Sequence, residues 1–355
     1  MNKPFDAHEQ LKAYYGKILA SSQDLKTSAC CCSDQSVPAE GRAALKEIDD
    51  EIVDRFYGCG SPIPPALKAC TVLDLGCGTG RDVYVASKLV GENGFVIGVD
   101  MTDEQLAVAK RHVDSMREKF GYKHPNVDFR KGLIEDLDAL DIADNSIDVV
   151  ISNCVINLSP DKASVLKEIF RVLKPGGELF FADVFSGCRV PEHFADDPVL
   201  HGECLAGAMY IEDFRRLLYS LGCQDYRVAA SRKISLQNPE IENKIGMIDF
   251  YSMTIRAFKL ASMEDICEDY GQVAVYQGTI SHHPHYLDLD DHHRFITGKP
   301  MLVCGNTAAM IQETRFSEHF SVWGDRSVHY GPFECASASV KANDPDNGGI
   351  GGACC

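Results

Sequence analysis

Cysteine is the residue type whose chemistry asks first for an explanation. It occurs 15 times in 355 residues, above the share of an average soluble chain. Four cysteines stand out by position. Cys30 opens the Cys30-Cys31-Cys32 run in a polar loop, and Cys59 lies in Tyr57-Gly58-Cys59-Gly60. Cys154 lies in Ser152-Asn153-Cys154-Val155-Ile156-Asn157, and Cys204 follows Gly202-Glu203. Thiolates are the ligands of soft, thiophilic centres, and such a centre needs several of them to converge. None of the four sits in a C-x-x-C pair, so a sequence-local zinc knuckle is disfavoured and a site must be assembled by the fold. Cys70, Cys77, Cys188, Cys223, Cys267 and Cys304 read as small apolar side chains of the interior.

A second constellation is Val72-Leu73-Asp74-Leu75-Gly76-Cys77-Gly78-Thr79-Gly80-Arg81-Asp82. An apolar strand runs into alternate glycines and then a helical pattern. Glycine permits positive φ and close approach of a ligand to the backbone. The carboxyl end of such a strand is where open α/β sheets bind nucleotides. The spacing G-x-G-x-G is not the G-x-G-x-x-G of dinucleotide enzymes, and no phosphate-binding lysine follows. Asp74, at the strand end, can face a cationic α-amino group. Asp100 ends the next strand, where a carboxylate accepts hydrogen bonds from ribose hydroxyls. Gly132-Leu133-Ile134-Glu135-Asp136, after the third strand, is placed to flank an adenine.

These residues need a frame to hold them. Apolar runs at Thr71–Leu75, Phe95–Val99, Val127–Arg130, Ile147–Ser152 and Glu178–Val184 alternate with helical spacing at Arg81–Val90, Asp103–Phe120 and Asp161–Leu173. That alternation predicts an α/β fold, a doubly wound and mostly parallel sheet with helices on both faces. A helix at Ala43–Tyr57 precedes it; a helix at Ile211–Leu221 and a strand at Tyr226–Ala230 close it. The expected divisions are a helical and cysteine-loop section over 1–70, the sheet domain over 71–231, a smaller mixed α/β domain over 232–336, and a disordered Cys-ended tail over 337–355. The formal charge of −17 argues against nucleic acid or an anionic membrane surface as partner. The polar start lacks a signal peptide's apolar region, and no run is long enough to span a bilayer. The expectation is a cytoplasmic monomer in a reducing compartment, where cysteines serve ligation or redox work.

The glycine loop, Asp100 and the Leu173-Lys174-Pro175-Gly176-Gly177 turn resemble class I S-adenosylmethionine-dependent methyltransferases. The segments Phe56–Gly60, Leu73–Asp82, Gly98–Thr102, Ser152–Leu158 (S-N-C-V-I-N-L) and Gly202–Cys204 resemble, more narrowly, the arsenite methyltransferases. The resemblance implies methyl transfer from S-adenosylmethionine to thiolate-bound trivalent arsenic, supplied as arsenite or its thiol conjugates. It implies Cys59, Cys154 and Cys204 as the As(III) ligands. It implies that Cys30 pairs with Cys59 or works in a disulfide relay, with Cys31 and Cys32 as alternatives for that part. Thioredoxin or glutathione would be the reductant. The cofactor set it implies is Tyr57, Asp74, Gly76, Gly78, Gly80, Asp100, Met101, Ile134, Glu135 and Asn153.

Two features stand apart. His282–His293 holds five histidines and three aspartates; it offers metal-binding groups, but a solvated loop is the favoured reading. The terminal Cys354-Cys355 pair could capture soft metals on a mobile tail. Two other functions share these residues: a methyltransferase acting on an organic small molecule, and a non-catalytic thiol protein that binds metalloids. The first leaves the cysteines unexplained, and the second leaves Asp74, the glycines and Asp100 unexplained.

Overall fold

The structure, a computed structural model, describes residues 39–54 and 58–334. The expectations for Cys30, Cys31, Cys32, Tyr57 and the tail with Cys354 and Cys355 lie outside the described residues.

Two short helices, α1 (Ala39–Leu45) and α2 (Asp50–Val53), stand where one helix over Ala43–Tyr57 was expected. Asp49 is extended at the N-cap, and Asp50 and Glu51 fill the first turn of α2. Acidic side chains favour a helix start there. The main sheet then follows: β1 (Thr71–Leu75), α3 (Arg81–Val90), β2 (Phe95–Asp100), α4 (Asp103–Arg111), α5 (Val113–Phe120), β3 (Val127–Lys131), β4 (Ile147–Asn153), α6 (Lys162–Val172) and β5 (Leu173–Ser186). The helix expected over Asp103–Phe120 breaks at His112. The ring of His112 bonds Asp49 through Nδ1 at 3.0 Å and Glu51 through Nε2 at 2.8 Å, which ties α2 to the break.

Next come α7 (Pro198–Gly202), β6 (Met209–Tyr210), α8 (Ile211–Ser220), β7 (Tyr226–Lys233), α9 (Pro239–Ile245) and β8 (Phe250–Phe258). The sheet order is β3-β2-β1-β4-β5-β8-β7, with β6 beside β5. Strands β1 to β5 are parallel, and β8 joins β5 and β7 antiparallel. This is the doubly wound, mixed and mostly parallel sheet that the alternation of strands and helices predicts. It runs past the division expected between residues 231 and 232, because β8 fills the place between β5 and β7. One face packs β1, β4 and β5 against α6 and α8; the other packs β1 and β2 against α1, α3 and α4. Parallel strands covered on both faces carry apolar runs, here Val72-Leu73 of β1 and Val149-Val150-Ile151 of β4, with polar residues at the ends of these runs.

The remaining chain builds small antiparallel sheets. Strand β10 (Gln272–Tyr276) lies between β13 (Met301–Val303) and β14 (Phe320–Trp323). Strands β9 (Glu268–Asp269) and β15 (Gly331–Pro332) pair, as do β11 (Tyr286–Asp288) and β12 (Arg294–Ile296). Helix α10 (Gly305–Gln312) packs on this module. Phe258, at the end of β8, belongs to its core, so the main sheet and the module share apolar packing. Buried Glu178 on β5 meets Arg256 of β8 and Arg315, and Arg256 also donates to Leu289 O at 2.6 Å.

The histidine-rich segment is a solvated loop only in part. His282 and His285 are exposed, whereas the stretch that links β11 to β12 carries Asp290 and His293 buried. The Asp290 carboxylate receives His293 Nδ1 at 2.8 Å and Arg227 Nη1 at 3.2 Å. A guanidinium already supplies the cation that a metal would bring. Cys188 is likewise exposed, contrary to expectation.

The irregular start of β5, where its register against β4 shifts, needs its glycine. Gly176 has φ +78°, and a Cβ there would lie 2.4 Å from Glu313 O. Gly80 is the left-handed N-cap of α3 at φ +89°, and a Cβ there would lie 2.9 Å from the Phe129 ring. Gly80→Ala is expected to lower stability by about 1–2 kcal/mol, the cost of placing a Cβ in that conformation. The urea midpoint reads this, and an unchanged midpoint would contradict it.

Candidate active site

The strand order reverses between β1 and β4, and open α/β sheets bind ligands at that point. A cleft of about 1000 Å³, counting its open mouth, lies at the carboxyl ends of these strands. Gly76 and Cys77 turn the chain across it, donating to Val99 O at 2.8 and 3.0 Å. A Cβ on Gly76 would strike Val155 at 2.4 Å, whereas one on Gly78 would meet only Gln105 Oε1, at 4.0 Å. The Gly78 backbone is therefore open to a ligand.

Asp74, Gly76, Gly78, Asp100, Met101, Ile134, Glu135, Asn153 and Cys154 all line the cleft. Gly80 does not; its part is the turn into α3. Cys77, expected in the interior, lines the cleft as well as packing the core. Sequence reasoning missed Arg81, Asp82, Thr102, Gln105 and Ser159 along the walls. Asp82 carried a signal, since it is a carboxylate in the first turn after the glycine loop.

The cleft is negative. Asp74 is 3% exposed and Asp82 4%, with Asp100 beside them. Burial first, then the charges of Asp82 and Asp100, push the Asp74 carboxyl well above its ordinary range. Asp100 is also raised by burial, although Oδ2 receives Gly78 N–H and Oδ1 receives Thr102 N–H, both at 2.8 Å. Arg81 Nε pairs with Asp82 at 2.9 Å, which leaves Asp74 and Asp100 without an equal opposing charge from that pair. Such a site favours a cationic ligand.

The thiols lie at the inner end. Cys59 and Cys154 are joined as a disulfide with Cα atoms 6.0 Å apart. The partner of Cys59 is thus Cys154, where one implied pairing was with Cys30. The Cys204 thiol donates to Cys154 O at 3.2 Å. Cys59, Cys154 and Cys204 share one buried apolar cluster with Leu158, Ala182 and Leu205. Asn153 clamps the Cys59 loop onto β4: its Oδ1 accepts Cys59 N–H at 3.1 Å, and its Nδ2 donates to Gly60 O at 2.9 Å. Ser252 Oγ on β8 donates to Cys59 O at 2.6 Å. Cys154 and Cys204 adopt left-handed φ of +56° and +64°. Non-glycine residues in that region store about 1–3 kcal/mol each, and such strain gathers at functional sites.

Asp183 was not anticipated. Its carboxylate oxygen and the sulfurs of Cys59 and Cys154 lie within 4.8 Å of one another. Burial outweighs N–H bonds from Val184 and Asn157, raising the Asp183 carboxyl to about 7. Burial also lowers Lys162, which faces Asp183, Cys204 and Glu135.

A doubly wound sheet with an acidic, glycine-lined cleft at its switch point defines a class I S-adenosylmethionine-dependent methyltransferase. A methyltransferase-domain family model matches residues 66–222, and an arsenite methyltransferase C-terminal-domain model matches residues 270–347. The chain is 51% identical over 327 residues to the arsenite methyltransferase of Aquipseudomonas alcaligenes, covering 92% of this chain and 94% of the relative. This chain belongs to the arsenite methyltransferase family. It is 41% identical to the Homo sapiens member, over 89% of this chain and 84% of that one. The crystal structure of an arsenic(III) S-adenosylmethionine methyltransferase from Chlamydomonas reinhardtii superposes with a TM-score of 0.81 at 53% identity, covering 84% of this chain and 99% of that one.

Proposed function

We propose that this chain transfers the methyl group of S-adenosylmethionine to trivalent arsenic held by Cys59, Cys154 and Cys204. The observation that carries the reading is the Cys59–Cys154 pair at the carboxyl end of β4, with the Cys204 thiol on the Cys154 carbonyl. The residues present fit the cofactor: the acidic wall suits its cationic amino and sulfonium groups, and the open Gly78 backbone admits it. Asp74 would take the amino group, Asp100 the ribose hydroxyls, and Met101, Ile134 and Glu135 would border the adenine. When bound, the cofactor supplies an electrophilic methyl group on a cationic sulfur.

The protein's task is to present the acceptor. A two-electron reductant, a thioredoxin dithiol or two glutathione thiols, opens the Cys59–Cys154 disulfide and leaves as a disulfide. Arsenite then exchanges three hydroxyls for three sulfurs, with three thiol protons leaving in three waters. Three sulfurs on one side direct the arsenic lone pair to the open side, toward the cleft. No proton leaves the nucleophile in the transfer, so alignment is the main contribution. Return of the methylated, pentavalent arsenic to the trivalent state takes two electrons from a thiol pair, which becomes a disulfide again. Cys30 belongs to this relay in the same proposal, as exchange partner of Cys59. The products are mono- and dimethylated arsenicals, and the setting is a reducing cytoplasm with the chain acting as a monomer.

The test is direct. Reduced chain, S-adenosylmethionine, arsenite and thioredoxin are expected to yield methylarsenicals by chromatography with arsenic detection. Omission of the reductant is expected to stop the reaction at or before one turnover. Absence of methylarsenical with the full mixture overturns the proposal.

A further inference from the structure

A second pair of thiols lies outside the cleft, where the edge strand β7 meets the C-terminal module. Cys304 is the N-cap of α10, and its sulfur accepts Thr307 N–H at 3.4 Å. Thr307 Oγ1 lies 3.3 Å from the same sulfur, and Arg227 Nη2 of β7 reaches it at 3.9 Å. Cys267, just before β9, hydrogen-bonds to Cys304 with its thiol. Cys304 is 0% exposed and Cys267 2%.

We propose that Cys267 and Cys304 form a redox-active dithiol, distinct from the arsenic thiols, which small uncharged hydroperoxides convert to a disulfide. Three features carry this. A sulfur surrounded by donors is a thiolate, the nucleophilic form. A second thiol in contact with it can resolve the oxidised product. Burial shuts out glutathione disulfide or a protein, so that an oxidant reaching the pair has to be small and uncharged.

The chemistry balances. The Cys304 thiolate attacks the O–O bond of the peroxide, giving a Cys304 sulfenic acid and hydroxide. The Cys267 sulfur then displaces the sulfenic oxygen, whose departure with the Cys267 proton makes water. The two sulfurs lose two electrons and the peroxide gains them.

The electrostatics support the first step. The Cys267 hydrogen bond, then the Arg227 charge and the Thr307 contacts, outweigh burial and hold the Cys304 thiol near about 5. The charged groups around it are fixed by bonds of their own. Arg227 is bound by Asp225 at 2.7 Å and Asp290 at 3.2 Å, with His293 Nδ1 at 3.4 Å. On the helix side, Arg326 donates to Gly305 O at 3.0 Å and pairs with Glu264 at 3.9 Å. When Cys304 loses its charge, Arg227 keeps both carboxylates, so the disulfide strands no buried cation.

The experiment treats the reduced full-length chain with hydrogen peroxide, alkylates remaining thiols and maps peptides without reduction. A Cys267–Cys304 cross-link is expected, at a rate that changes less than about twofold between pH 6 and 8. A thiol of ordinary pKa would speed up about a hundredfold over that range. In Cys267→Ser the cross-link is expected to be replaced by a Cys304 sulfenic acid that dimedone traps. Recovery of both cysteines as free thiols after peroxide has oxidised the exposed ones overturns the proposal. So does a hundredfold rise in rate with pH, or oxidation by glutathione disulfide as fast as by peroxide.

Discussion

Cys154→Ser is expected to cut methylarsenical formation by at least about a thousandfold while the chain still binds S-adenosylmethionine. The argument is geometric. Cys154 is the cysteine that borders both regions: it lines the cofactor cleft, and it is bonded to Cys59 and accepts from Cys204 through its carbonyl. Serine keeps the size and the left-handed backbone but offers a hard oxygen to a soft centre. The arsenic then rests on two sulfurs at most and loses its fixed direction toward the methyl donor. Well-oriented reactants draw about 7–11 kcal/mol from alignment, so a loss of about half of that, about 4 kcal/mol, already amounts to a thousandfold. The turnover assay with arsenic-specific detection reads the loss, and calorimetry with S-adenosylmethionine reads the retained binding. A variant within tenfold of the parent rate would remove Cys154 from the ligand set. Cys59→Ser should behave alike, and because the two residues form one disulfide, either variant also abolishes the need to reduce it before arsenite binds.

The cofactor loop was legible in the sequence because its determinants are local. A strand, its closing carboxylate and alternate glycines are consecutive from Val72 to Gly80, and the structure turns them in that order. Even so, Gly80 shows the limit of reading a motif as a set of contacts, since its conformation serves the turn while Gly78 faces the cleft. The placement of Cys59 on Cys154 was not local. It depends on Asn153, 93 and 94 residues from the backbone groups it clamps, and on Ser252 of β8. Only the family resemblance brought those cysteines together in advance. Asp183 was hidden for a similar reason. The parallel register sets Asn153 beside Ala182, so the residues that follow, Cys154 just past β4 and Asp183 within β5, come to the same inner end. That register is set by packing of the whole β4–β5 pair. Strand β8 escaped because an antiparallel strand inserted between β5 and β7 breaks the alternation that announces the rest of the sheet. The inner end of the histidine segment was hidden by composition: Asp290 is buried because Arg227, 63 residues away in sequence, neutralises it, and His293 is held by Asp290 through Nδ1.

Asp74→Asn is expected to weaken S-adenosylmethionine binding about 10- to 150-fold at neutral pH, the worth of a hydrogen bond to a charged group at about 1.5–3 kcal/mol. The same change is expected to stabilise the ligand-free protein. Burial and the nearby charges of Asp82 and Asp100 hold the Asp74 carboxyl well above its ordinary value. A carboxyl raised in the folded state binds its proton more tightly there than in the unfolded chain. Its ionisation therefore costs stability, and that cost appears as pH rises from the ordinary value through the raised one. Asparagine carries no charge and avoids the cost. A cationic ligand reverses the sign, because it stabilises the ionised form and drives the proton off on binding. Affinity for S-adenosylmethionine should therefore climb with pH through the raised value and then level, and the climb should flatten in the variant. It should not vanish, because burial raises Asp100 as well. Calorimetry across pH 5 to 8 gives the affinity, and thermal melting of the ligand-free chain gives the stability. A variant that binds within twofold of the parent, or one whose melting temperature falls, would show that Asp74 does not face the cation.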